Sequence, residues 1–326
     1  VSDPREVDPR EAGSLAGNPR EAGPRAAGQR AVERHPDDPR GAGQRDIGSR
    51  DTGRGDRLDL SPDEIDRLVA AAEAAADVAG AIVRPFFRSG IGADLKDDRS
   101  PVTIADRTAE LAMRAVLTER LPDHGIIGEE FGDHRPDARL RWVLDPIDGT
   151  RAFITGRLTF GTLIGLLDGD TPILGVIDQP ITGERWIGAP GRPTIFRGPL
   201  GGHAGCRPCP DLAAAELSCT STEMLGQREP AWRTLAAAVR RNSWGGDCYA
   251  HALLALGQID IVAECDMKLW DWAALVPVVE GAGGRVTDWK GNPLRPGGDG
   301  SVLSVGDPGL LAPAVALLNQ ALVAPA

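Results

Sequence analysis

Asp145-Pro146-Ile147-Asp148-Gly149-Thr150 follows the apolar run Arg141-Trp142-Val143-Leu144. Pro146 fixes its own backbone angle and Gly149 permits a tight turn, so two carboxylates three residues apart can face one point at the end of a strand. Clustered carboxylates repel unless a cation lies between them, and the hard ion Mg²⁺ prefers oxygen ligands. The residues after Gly149 read as the start of a short helix, whose free N–H groups would hold a phosphate. A turn followed by a helix cap would account for the same hexapeptide. Further acids surround it in the sequence. Gly128-Glu129-Glu130 ends the preceding strand-like run, where adjacent acids are costly unless exposed or bound to a cation. Trp270-Asp271-Trp272-Ala273-Ala274 opens a helix ending at Gly281-Ala282-Gly283-Gly284. Asp271 reads equally as a ligand or as that helix's N-cap, and Ala273 and Ala274 permit close approach of other backbone. Asp106, three residues after Thr103, is open to the same two readings.

The elements that must position these groups are legible from periodicity. Ser61-Pro62-Asp63-Glu64 reads as a capping box with proline at the first helical position. Apolar residues from Ile65 to Phe86 then recur at helical spacing, with Gly90 and Gly92 ending the helix. A second helix is expected over Ile104 to Leu121, capped by Thr103. Strands are expected at 125–128, 140–144, 159–167, 173–178, 185–188 and 194–197. Beyond a Gly/Pro/Cys-rich connection at 198–211, strands at 217–221, 259–263, 285–288 and 302–305 alternate with helices at 231–240, 249–256, 272–281 and 310–322. Two sheets with helices packed on them are implied.

Glu129-Glu130, Asp145 to Thr150 and Trp270-Asp271 with Gly283-Gly284, in this order, resemble the inositol monophosphatase family of metal-dependent phosphatases. The resemblance covers about 58–322. It implies a layered αβαβα sandwich of the inositol monophosphatase / fructose-bisphosphatase type, with an N-terminal α+β half (about 58–200) and a C-terminal α/β half (about 212–322). It further implies that Glu129, Asp145, the Ile147 carbonyl, Asp148 and Asp271 bind two to three Mg²⁺ ions. Thr150 and Asp106 would orient and help deprotonate the attacking water, Glu129 would share in the catalysis, and Gly149 and Thr150 would donate backbone N–H groups to the phosphate. Lys96 falls where the family often has a lysine. A homodimer is implied as well.

Several stretches look like the histidinol-phosphatase branch of that family: Arg151 to Arg157, Val176 to Pro180 with Gly183 to Gly188, and Gly245-Gly246-Asp247-Cys248-Tyr249. Histidinol carries an amine and an imidazole that can protonate, whereas inositol is neutral, so Asp247 and Glu264, the latter at the family's substrate-contacting position, would suit a cation. Asp247 can also be read as a cap of the helix from Tyr249. Ser243 departs from the pattern, since relatives often carry an arginine there; Arg240 and Arg241 are the nearby substitutes. The expected reaction is Mg²⁺-dependent hydrolysis of L-histidinol phosphate to L-histidinol and phosphate, in histidine synthesis. An inositol-1-phosphate or broader sugar-phosphate phosphatase is the alternative. A silent metal- or phosphate-binding module would not need Thr150.

Composition narrows the partners. The chain has 326 residues and a formal net charge of −11, from 36 basic and 47 acidic side chains. Clustered Lys and Arg are wanting, which argues against nucleic acid, and no apolar run is long enough to span a membrane. No Gly-x-x-x-x-Gly-Lys phosphate loop occurs, and Cys206-Arg207-Pro208-Cys209 with His203 falls short of the four ligands of a structural zinc site. Five cysteines and no visible secretory signal point to reduced thiols and a cytoplasmic setting.

Residues 1–57 hold 11 Arg, 11 Asp or Glu and no aromatic residue. So few apolar groups cannot offset the entropy of ordering the backbone, and a disordered extension is expected. Deleting 1–57 should therefore leave activity and melting temperature unchanged; a fall of more than about 4 °C would reveal packing contacts with the folded body.

Overall fold

The computed structural model describes residues 59–90, 92–95 and 101–320. The expected extension at 1–57 and Lys96 lie outside the described residues. Helix α1 (Pro62–Val83) begins with the expected capping box, in which Ser61 and Glu64 satisfy each other's backbone N–H groups. It stops seven residues before Gly90. Pro85 lacks the N–H that another α-turn needs, and Arg84–Phe86 tighten into a 3₁₀ turn instead. A short antiparallel ribbon, β1 (Asp94–Leu95) and β2 (Pro101–Val102), leads into α2 (Ile104–Arg120).

Strands β3 (Gly125–Gly128), β4 (Gly132–His134), β5 (Leu140–Asp148), β6 (Gly161–Asp168), β7 (Thr171–Gln179), β8 (Glu184–Gly188) and β9 (Ile195–Arg197) form one sheet in the order β4-β3-β5-β6-β7-β8-β9. Only β3 and β5 run parallel; helix α3 (Thr150–Ile154) interrupts the chain between β5 and β6. The second half supplies β10 (Glu216–Cys219), α4 (Glu229–Ala238), β11 (Arg241–Trp244), α5 (Asp247–Leu254), β12 (Ile261–Glu264), α6 (Leu269–Trp272), α7 (Leu275–Gly281), β13 (Arg285–Thr287), β14 (Val302–Val305) and α8 (Leu311–Gln320). Its sheet has the order β11-β10-β12-β14-β13, with β10 parallel to both neighbours and the remaining pairs antiparallel. Strand β11 was not expected: Arg241-Asn242-Ser243-Trp244 is polar and exposed, as an edge strand can be, and carries no alternating pattern.

The layers run α1/α2, seven-stranded sheet, α5–α7, five-stranded sheet, α4/α8. Alternate residues of each central strand serve different layers. Ile164, Val176 and Ile187 pack under α1 and α2 with Ala72, Ala76 and Met113, while Leu163, Ile177 and Trp186 face the middle helices. Both faces are covered, so these strands read as continuous apolar runs. Trp232, Leu235 and Leu318 close the outer core. No helix among the described residues is long and apolar enough to cross a membrane.

A row of glycines brings the middle layer down onto the larger sheet. Gly165, Gly175 and Gly188 are direct cross-strand partners on β6, β7 and β8. A Cβ at Gly175 would lie 2.0 Å from the Ala274 carbonyl oxygen, one at Gly188 2.2 Å from that of Pro277, and one at Gly165 2.9 Å from the Ala273 Cβ. The close approach anticipated from Ala273 and Ala274 is thus made against glycine. The single expected helix at 272–281 is instead two short helices, α6 starting earlier at Leu269, and their junction sits on this row.

Gly175→Ala should force this segment off the sheet. Overpacking typically costs ~1–3 kcal/mol, so a melting-temperature drop of roughly 3–10 °C is expected, together with loss of activity because Asp271 rides on the displaced segment. Gly205→Ala, whose Cβ would meet nothing closer than 3.9 Å, is the control.

Candidate active site

Strand β5 carries the acidic turn past the edge of regular pairing. Asp145 pairs with Leu163 and Asp148 with Gly161, so the register shifts between them. The buried Thr162 hydroxyl donates to the Pro146 carbonyl (2.8 Å), pinning the bulge, and the Ile147 side chain is fully buried in the core under α1 and α2. The bulge lets carboxylates three residues apart converge. Asp145, Asp148 and Asp271 each offer an oxygen within 4.8 Å of the others. Glu129 joins them because its N–H donates to the Leu144 carbonyl (3.2 Å), extending the parallel ladder to the residue beside Asp145.

Two residues read ambiguously in the sequence bond a helix start and also reach the acidic turn. Asp106 Oδ2 accepts from the Thr103 N–H and hydroxyl as the capping partner of α2 (2.8 and 2.5 Å). Its Oδ1 lies 3.4 Å from Thr150 Oγ. Asp271 Oδ2 accepts the Lys268 N–H (2.6 Å), closing the first turn of α6 as its third residue rather than its N-cap. Thr150 has one hydroxyl proton and two acceptors, Asp106 and the Ile147 carbonyl at 3.1 Å.

Crowding shows in the protonation equilibria. Burial and then the charges of Glu129, Asp148 and Asp271 push Asp145 well above the usual carboxylate range. Asp271 is raised by burial and then by Asp148. Burial lifts Asp148 to about 6, against the hydrogen bond from the Cys248 N–H (2.8 Å). Asp106 is also raised by burial, opposed by its bonds from Thr103. A set of converging hard oxygen donors that resist ionising together is what a divalent cation relieves, and these residues fit Mg²⁺.

Glu129 and Asp271 line a cleft of about 400 Å³ together with Gly149, Thr150, Thr220 and Asp247, and Asp145 and Asp148 lie beside Asp271. Gly149 has φ of +82°, and a Cβ there would lie 2.9 Å from Asp247 Cγ, so glycine admits the Asp247 carboxylate to the turn that opens α3. Asp247 begins α5 but is not its cap: its own φ is +43°, its N–H donates to Thr220 Oγ (2.9 Å), and its Oδ2 accepts from Thr159 (3.3 Å). Burial, then Asp148 and Glu264, raise it to about 7. Glu264 departs from expectation. It is buried behind the cleft wall, with Oε1 accepting from the Thr220 N–H (2.9 Å) and hydroxyl (2.6 Å) and Oε2 facing His251 Nε2 (3.1 Å). Ser243 lies on the exposed strand β11. Arg241 is engaged by Glu216 (2.7 Å), and Arg240 and Arg241 border a separate recess beside Cys209, so neither stands in at the acidic cleft. Arg157 is a cation that acts on Asp247.

Two contributors were not read from the sequence. Glu110, fully buried and paired with Arg114 (2.7 Å), accepts the N–H groups of Glu130 (2.8 Å) and Phe131 (3.3 Å), bracing the turn that presents Glu129. A Cβ at Gly128 would be 2.0 Å from Glu110 Oε1, which explains that glycine. The signal available was an acid on the apolar face of α2. Thr220 had none, being an ordinary residue at a strand end.

A sequence model of the inositol monophosphatase family matches residues 64–323. The chain belongs to the inositol monophosphatase family. It is a metal-dependent phosphatase, and its fold is that family's layered sandwich. It is 48% identical over 236 residues to the chloroplastic bifunctional phosphatase IMPL2 of Arabidopsis thaliana, covering 72% of this chain and 67% of that one. Identity to a histidinol-phosphatase of Mycobacterium tuberculosis is 36% over 230 residues, 67% of this chain and 86% of the relative. The solved structure of an inositol monophosphatase from Zymomonas mobilis superposes with a TM-score of 0.72 at 47% identity, over 80% of this chain and 100% of that one.

The raised carboxyl pKa values fix the sign of a pH effect. A folded-state pKa above the unfolded value stabilises the fold at low pH, and that stability is lost as pH rises through the folded pKa. For Asp148 the window runs from its ordinary 3.8 to about 6. In chelator-treated protein, Asp145→Asn should raise the melting temperature at pH 7 and have little effect near pH 4. Saturating Mg²⁺ should stabilise the wild type more at pH 7 than at pH 5. The same variant should retain less than about a tenth of wild-type turnover.

Proposed function

We propose that this phosphatase hydrolyses L-histidinol phosphate to L-histidinol and phosphate. The observation that carries the reading is the placement of Asp247, an acid standing against Gly149 at the wall of the cleft. Metal and phosphate contacts are common to every phosphate monoester, so discrimination must come from groups beyond the phosphate. A carboxylate there suits an amine on the leaving group. The likeness to histidinol-phosphatases of Mycobacterium tuberculosis and Chlorobaculum parvum supports this choice.

In this reading Glu129, Asp145, Asp148, Asp271 and the Ile147 carbonyl hold two to three Mg²⁺ ions. When bound, Mg²⁺ lowers the pKa of water and balances charge on the phosphoryl group. The protein's own work is positional. The backbone N–H groups of Gly149 and Thr150 hold the phosphate in the turn that opens α3. Thr150 Oγ orients the attacking water and passes a proton toward Asp106 Oδ1, whose raised pKa suits it to accept one. The water oxygen forms the new P–O bond while the ester P–O bond breaks, and the leaving alkoxide takes up a proton to become histidinol. Asp247 holds the substrate amine. A cytosolic homodimer is the proposed setting.

Inositol 1-phosphate, or a sugar phosphate more broadly, is the second reading, favoured by the 47% identity to the Zymomonas mobilis inositol monophosphatase. Phosphate release from the two esters, measured side by side with Mg²⁺, separates them. A charge-assisted amine–carboxylate bond contributes ~1.5–3 kcal/mol. Asp247→Asn should therefore lower kcat/KM for histidinol phosphate by about ten- to a hundredfold, and for inositol 1-phosphate much less. Equal losses on both would make Asp247 a scaffold residue, and a wild-type preference for inositol 1-phosphate would promote the second reading.

A further inference from the structure

His251 lies on α5 one turn beyond Asp247, fully buried in the middle of the molecule. Its neighbours on that helix, Cys248, Ala250, Ala252 and Leu254, are apolar and buried, and an aliphatic residue would satisfy the same packing. Instead, the imidazole is held at both nitrogens. Nδ1 lies 2.9 Å from the Ser304 hydroxyl on β14 and Nε2 lies 3.1 Å from Glu264 Oε2 at the end of β12. Burying three polar side chains together is costly unless every group is satisfied, and a satisfied network enforces one arrangement.

The arrangement enforced is a closed ring. Glu264 Oε1 accepts both the N–H and the hydroxyl of Thr220. Because the Thr220 proton is committed to Glu264, Thr220 Oγ is left as an acceptor, and it takes the Asp247 N–H (2.9 Å). The path thus leaves α5 at His251 and returns to it at Asp247. As a carboxylate, Glu264 accepts on Oε2, an assignment that puts the proton of His251 on Nε2 and leaves Nδ1 to accept from Ser304. Asp247 needs such support, since its φ of +43° is a conformation that non-glycine residues rarely adopt. Its carboxylate reaches the Gly149 turn from that conformation.

We propose that His251 is a positioning residue for substrate recognition: through Glu264 and Thr220 it holds the backbone of Asp247 in its left-handed turn and so aims the Asp247 carboxylate into the cleft. The proposal rests on the reading that Asp247 contacts the substrate beyond its phosphate.

The test uses the Mg²⁺-loaded full chain, with histidinol phosphate and inositol 1-phosphate as substrates. His251→Leu removes the donor; His251→Gln keeps an N–H at the reach of Nε2. His251→Leu should raise KM for histidinol phosphate by about tenfold while kcat falls far less, and His251→Gln should stay within about threefold of wild type. Adding His251→Leu to Asp247→Asn should cost less than about twofold, since the path ends at Asp247. Effects that multiply in the double variant, equal losses in kcat on both esters, or a glutamine variant as impaired as the leucine one would each overturn the proposal. Should His251→Leu fail to fold, Thr220→Val cuts the ring at its other end and must give the same rise in KM and the same non-additivity, with Thr220→Ser restoring function. A wild-type preference for inositol 1-phosphate would sink the histidinol reading alone. The ring would then be judged on KM for that ester by the same double variant, non-additivity supporting it and additivity overturning it.

Discussion

Asp145, Asp148 and Asp271 are held within 4.8 Å of one another beside Glu129, in a setting where burial and mutual charge oppose their ionisation. Left to themselves these groups would separate, and the surrounding structure is arranged so that they cannot. The β5 bulge fixes the first two, pinned by Thr162 from the neighbouring strand. Glu110 braces the turn behind Glu129. Asp271 arrives from the other half of the chain on a helix pressed onto Gly165, Gly175 and Gly188, where side chains would have kept it away. Each device spends local stability, in a bulge, a buried acid or a glycine in a strand, to maintain a cluster whose repulsion a divalent cation relieves.

Much of this was legible in the sequence because the relevant signals are local. The capping box at Ser61, the helical periodicity of α1 and α2 and the continuous apolar strands all reflect nearest-neighbour geometry and burial. The acidic turn was visible because proline and glycine flank two carboxylates at a strand end. What escaped were features decided at a distance. Strand β11 is polar because it is an edge, and only its pairing with β10 defines it. The glycine row is three unremarkable residues until β6, β7 and β8 align them. Glu264 offered no sign that both its oxygens would be taken by Thr220 and His251. Ambiguity at Asp106 and Asp271 was not resolved in favour of either reading, because a carboxylate has two oxygens and each acid uses one to cap a helix.

The start of α5 ties Asp247 to the acidic turn. Consecutive backbone N–H groups point to different partners, that of Asp247 to Thr220 and that of Cys248 to Asp148. Asp247 and the acidic turn are thereby set by one peptide segment, so a change in one is transmitted to the other without any moving part. The five cysteines are free thiols. Cys248 beside this junction is buried, and burial together with Asp148 pushes its thiol well above the usual range, which leaves it a packing group.

The middle helices belong to both sheets, and this has a bearing on how the chain is made. During synthesis the seven-stranded sheet is complete once β9 has emerged, yet Leu163, Ile177 and Trp186 on its inner face wait for α5 to α7, encoded some way downstream. At ~5–20 residues per second, roughly 4–20 s pass before that cover is available. Throughout that interval a nascent chain displays a broad apolar sheet with a glycine trough across it, a surface that invites another copy to settle there.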